Sequence, residues 1–63
     1  MKSALQVKID NLGTTDKVSV VYGESADLFV GWVDSVTSSR LIIEVNGFFT
    51  TLQRSNIIEL EIK

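Results

Sequence analysis

A chain of 63 residues with neither cysteine nor histidine has to hold itself together without a disulfide and without a thiolate or imidazole metal site. A domain this small buries only about 60% of the surface its unfolded form exposes, and single cores of this size rarely supply more than ~3–5 kcal/mol. Disulfides and thiolate or imidazole metal sites, which commonly make up the difference, have no ligands here. Two routes remain: an unusually dense core, or association with further copies.

The apolar fraction of 44%, rich in Val and Ile, fits a packed globule and excludes a disordered chain. No apolar run approaches the ~20 residues that span a bilayer, and Met1-Lys2-Ser3-Ala4 lacks the continuous apolar core of a signal peptide. The expected location is therefore cytoplasmic, with no membrane role. Six basic residues against eight acidic ones leave a net charge of −2. That balance argues against broad binding to a nucleic-acid backbone, since each neutralised phosphate needs a cation, though several copies could concentrate a few Arg side chains locally.

Proline is absent and the four glycines fall near bends, so the chain reads as short strands joined by tight turns over its whole length, one domain over 1–63. Lys17 to Tyr22 alternates with Val18, Val20 and Tyr22 on one face. Asp27 to Val36 is apolar on both faces around Gly31, as a long strand bent at that glycine would be. Arg40 to Val45 places Leu41, Ile43 and Val45 inward. Asn46-Gly47 then suits the positive φ angles of a two-residue hairpin turn, and Phe48 to Gln53 returns. Arg54-Ser55-Asn56 makes a one-turn corner before Ile57 to Ile62, with Ile58, Leu60 and Ile62 inward. Residues 4–12 admit two readings. Leu5, Val7 and Ile9 alternate as a strand, the favoured reading, while Ser3 could cap a helix that gathers Leu5, Ile9 and Leu12 on one face and stops at Gly13.

Five short strands, the second long and bent, a hairpin between the third and fourth and a one-turn corner before the fifth give an all-β chain with the layout of SH3-like small barrels. Over residues 17–62 the chain resembles the Sm-like family. That family's first motif runs from a glycine in the bent strand through a turn into an apolar strand, paralleled by Gly31, Val33, Val36, Thr37-Ser38-Ser39, Arg40 and Leu41-Ile42-Ile43. Its second is similar to Leu52-Gln53-Arg54-Ser55-Asn56-Ile57-Ile58. The resemblance implies a ring-type homo-oligomer that binds single-stranded RNA, with Thr37, Arg40, Gln53 and Arg54 at the pore positions in place of the family's Asp, Asn and Arg-Gly. Val30-Gly31-Trp32 and Leu52-Gln53 also faintly resemble the plasmid-type dihydrofolate reductase, whose Val-Gln-Ile-Tyr run is not reproduced.

No catalytic pair is legible. Without His or Cys, the Ser and Thr residues have no base beside them. Glu44, Glu59 and Glu61 read as solvated strand residues sooner than as a metal or acid–base pair. The expectation is a non-catalytic binding module with no cofactor and no metal. Tyr22, Trp32 and Phe48 are assigned to the interior, because so small a core must use its aromatics. Val21, Ile42, Phe49 and Ile57 are left pointing outward, a set too large for scattered surface apolars and therefore the expected oligomer interface. Pairing of the fourth strand with the fifth between subunits would cover both the apolar set and the bare strand edges. A protein partner, with no nucleic-acid role, is the competing expectation, and the acidic balance favours it.

Overall fold

In the computed structural model, residues 2–63 are described. They form helix α1 (Ala4–Asp10) and strands β1 (Lys17–Tyr22), β2 (Asp27–Val36), β3 (Arg40–Val45), β4 (Phe48–Gln53) and β5 (Ile57–Ile62), with a one-turn 3-10 helix at Arg54–Asn56. All five strands lie in one antiparallel sheet in the order β4-β3-β2-β1-β5. No ladder joins β4 to β5, so the sheet is open, and its two edge strands are connected at one end by the 3-10 turn.

The N-terminal segment is a helix, not the favoured strand. Ser3 caps it, its hydroxyl accepting the Gln6 N–H at 3.2 Å, and Asn11 closes it two residues before Gly13. Tertiary packing decides between the two readings. As a helix the segment buries Ile9 completely and lays Leu5 and Leu12 against the core. A strand would carry every second residue away from it.

β2 organises the sheet. Its first half pairs with β1 and its second half with β3, and Trp32 is the residue at which partners change, facing Lys17 on one side and Glu44 on the other. Gly31 precedes this handover. A Cβ on it would collide with the Glu44 carbonyl, so the absence of a side chain lets the β3 backbone come close at this point. The register irregularity lies just beyond, between Val33 and Ser35. Asn46 and Gly47, at φ 51° and 86°, make the expected hairpin turn between β3 and β4.

The core consists of Ile9, Val18, Val20, Val33, Leu41, Ile43, Leu52, Ile57 and Leu60. Four inward assignments from alternation fail, among them Ile62, which is 54% exposed at the end of β5. Trp32 is 51% exposed and Phe48 75% exposed. Trp32 belongs to the outward set Leu28, Val30 and Trp32, whereas the inward set is Phe29, Gly31 and Val33. Phe48 sits beside the hairpin tip, beyond the reach of the core. On β5, Ile58 is exposed and Ile57 buried, the reverse of the expectation, because the β1–β5 register slips: Tyr22 faces Ile57 while Val21 faces Glu59. Ile58 is the extra residue of a bulge, and a bulge inverts the alternation on one side of itself. Ile57 is therefore a core residue and no part of an exposed interface. Tyr22 is half-buried, edge-on to Phe29 with ring centroids 6.1 Å apart, and its hydroxyl accepts the Gln53 N–H at 3.0 Å. It ties β1 to the end of β4 across the open side of the sheet.

Candidate functional site

Of the four residues expected at a nucleic-acid site, Arg40 and Gln53 are exposed and face each other across the β3–β4 ladder. The other two are spent on the fold. The Thr37 hydroxyl accepts the Arg40 N–H at 2.9 Å and so shapes the β2–β3 turn. Arg54 is 5% exposed. Its guanidinium donates from Nε to Gln6 Oε1 at 3.0 Å, from Nη1 to the Thr37 carbonyl at 2.7 Å, and from Nη2 to the Gln6 carbonyl at 3.2 Å and Asp10 Oδ1 at 2.7 Å. The Gln6 side-chain amide returns a bond to the Arg54 carbonyl at 3.2 Å. A buried charge is tolerable only when paired and hydrogen-bonded; each nitrogen of the Arg54 fork finds a partner, and together they clamp α1 and the β2–β3 turn onto the corner between β4 and β5.

The carboxylate of Asp10 also accepts from the Lys2 ammonium at 2.6 Å. Lys2 first and Arg54 second stabilise its charged form and hold its pKa below the ordinary aspartate value. A folded-state pKa below the unfolded one means that the stabilisation is complete above the unfolded value and is lost as pH falls through the folded one. The melting temperature of the wild-type chain is expected to drop more steeply below about pH 4 than that of Asp10→Asn, whose bonds do not titrate. Calorimetry from pH 7 to pH 2 checks this, and parallel acid limbs would refute it.

The two sheet edges differ. Lys63 N–H donates to the Lys17 carbonyl at 2.7 Å, which fixes the parity of the β1–β5 ladder and turns the backbone groups of Leu60 and Ile62 outward. One of these is already taken: Lys8 of α1 reaches across to donate its ammonium to the Leu60 carbonyl at 3.2 Å. A lysine on an edge, with Glu59 and Glu61 in the same strand, is a common guard against strand addition.

β4 has no such guard. A two-residue turn makes Val45 and Phe48 a hydrogen-bonded pair, so the backbone groups of Phe49, Thr51 and Gln53 face away from β3. Tyr22 occupies the Gln53 N–H, and Phe49 and Thr51 remain open. The strand, Phe-Phe-Thr-Thr-Leu-Gln, carries no charge, and Phe48 and Phe49 are 75% and 67% exposed. Among the expected interface residues, Phe49 is thus on the open edge, Val21 and Ile42 are half-buried in the sheet's outer face, and Ile57 is inside.

That outer face carries a row that no sequence pattern announced. Lys17, Trp32, Glu44 and Phe49 lie opposite one another across β1, β2, β3 and β4. The Lys17 ammonium stands 5.8 Å from the Trp32 ring centroid, a cation–π contact. Leu28 and Val30, also exposed, extend the apolar surface from Trp32 along β2. Among the described residues, no three His, Cys, Asp or Glu side chains gather as a metal site, and no helix is long and apolar enough to cross a membrane. No family model, curated protein or solved structure matches the chain. The likeness to Sm-like proteins rests on the motif layout of the sequence alone.

Proposed function

We propose that the chain is a non-catalytic protein-binding module of SH3-like architecture that accepts an extended strand at the edge of β4. The observation that carries this reading is the contrast between the edges: β5 is guarded by Lys8 and two glutamates, while β4 is uncharged, open at Phe49 and Thr51 and flanked by exposed phenylalanines. Strand addition draws affinity from backbone hydrogen bonds and specificity from the side chains on either side of the new strand. Phe49 and, beyond Glu44, Trp32 supply such side chains on the outer face. A single-stranded RNA role is less well supported, since Arg54 is buried and the net charge of −2 leaves Arg40 as the one exposed cation of the expected set.

Extended peptides selected from a random library on the immobilised chain are the direct test. Binders are expected to alternate β-branched and aromatic residues, and to lose at least tenfold in affinity on Thr51→Pro, which removes an edge N–H from the free side of β4. Binders unaffected by Thr51→Pro, or a peptide library that yields no binders while a parallel single-stranded RNA library does, would overturn the reading.

A further inference from the structure

We infer that the strand β4 accepts is the β4 of a second copy, giving a two-fold dimer with one continuous sheet of ten strands. The inference rests on β4 being a strand-accepting edge, and adds which strand it takes.

Three observations single out a second copy. Like charges directly opposite one another destabilise a strand pair, and β4 is the edge on which self-pairing meets none. The same pairing through β5 would oppose Glu59 and Glu61 with themselves or each other. Second, the open groups on β4 are self-complementary. Phe49 and Thr51 are two apart and both face outward, so an antiparallel copy centred on Thr50 brings Phe49 opposite the partner's Thr51 and Thr51 opposite the partner's Phe49, each pair exchanging both backbone bonds. Phe48 then lies opposite the partner's Leu52, and apolar surface exposed at the hairpin is covered. Third, such an interface is isologous and closes at two copies. The edges left at the ends of the ten-stranded sheet are the two β5 strands, each held by its own Lys8. Head-to-tail pairing of β4 on β5 would instead have to displace that lysine at every junction.

Thr50 sits on the two-fold axis, in a pair whose backbone bonds point back to β3. Such non-hydrogen-bonded pairs bring Cα atoms to ~4.5 Å, within disulfide range. The chain has no native cysteine, so a single introduced thiol reports the register unambiguously. Sedimentation equilibrium from 1 to 200 µM is expected to give about twice the 7.0 kDa chain mass at the upper end. Thr50→Cys is expected to oxidise to a disulfide dimer in high yield, and Glu59→Cys, on β5, to remain reduced under the same conditions. Thr51→Pro and Thr51→Lys, at an exposed position whose N–H faces solvent, are expected to keep the monomer's circular dichroism and raise the dimer dissociation constant at least tenfold.

A monomer at 200 µM, an assembly larger than two, or a dimer that both Thr51 variants leave intact would overturn the inference. Its failure is separable from that of the strand-accepting edge: a monomer that still binds selected peptides at β4 refutes the second copy alone, whereas loss of both refutes both.

Discussion

Urea denaturation of Arg54→Ala is expected to show a loss of about 3 kcal/mol, enough to leave a domain of this size largely unfolded at 25 °C. The substitution removes the one side chain that bonds α1 and the β2–β3 turn at the same time. Thr37 loses the donor to its carbonyl, Gln6 loses bonds at both its side chain and its carbonyl, and Asp10 keeps only Lys2. Thr37 and Asp10 are exposed and Gln6 is half-buried, so water takes up part of what these acceptors lose, and the expected cost comes mainly from the buried Arg54 side chain and the three segments it holds together. Arg54→Lys, which keeps the charge but presents a single point of contact in place of a planar fork, is expected to recover less than half of the loss. An exposed pore arginine would behave differently, because surface substitutions usually stay within about ±0.5 kcal/mol. A change that small, measured at fixed protein concentration, would return Arg54 to the solvent and to nucleic-acid binding.

The role of Arg54 lay outside the reach of the sequence for a physical reason. Its partners Gln6 and Asp10 are more than forty residues away along the chain and come together only if residues 4–10 are helical. A signal was nonetheless present: in the helical reading, Gln6 and Asp10 are four apart and so share one face, beside the apolar stripe of Leu5, Ile9 and Leu12. A polar pair bordering an apolar stripe asks for a buried partner. The strands were far more legible, because alternation and turn chemistry are local. The boundaries of β1 to β5 and the turn at Asn46-Gly47 fall where periodicity placed them. Facing was legible only between irregularities. Val18, Val20, Leu41 and Ile43 point inward as alternation requires, but the bulge at Ile58 leaves no residue-type signature, and it exchanges Ile57 and Ile58 between core and surface. The same limit applied to Trp32, because a strand apolar on both faces does not say which one the sheet buries. Which edge is guarded also escaped the sequence, since the Lys8 contact to Leu60 depends on where α1 docks.

Gly31→Ala tests the close approach of β3 to β2 at the glycine that the sequence singled out. One methyl group is a minor change at most exposed positions, but here it would enter space held by the carbonyl of Glu44 and the side chain of Val45. A backbone atom cannot rotate away as a long side chain can, so β3 would have to shift bodily, and overpacking of this kind costs ~1–3 kcal/mol and occasionally more. We expect about 3 kcal/mol, at the top of that range, because the displaced segment pairs with both β2 and β4. Gly47→Ala is the control. Nothing lies near its missing Cβ and its cost is the positive φ of 86° alone, so ~1 kcal/mol is expected. The two variants also differ in what they do to the open edge. Moving β3 at Glu44 moves Phe49, its neighbour across the ladder, so Gly31→Ala should weaken strand capture at β4 even under conditions where the fold survives. Gly47→Ala strains the turn without shifting the ladder, and should leave capture within about twofold of wild type, a difference under ~0.5 kcal/mol. Equal costs for the two alanines would mean that β3 does not approach Gly31 closely.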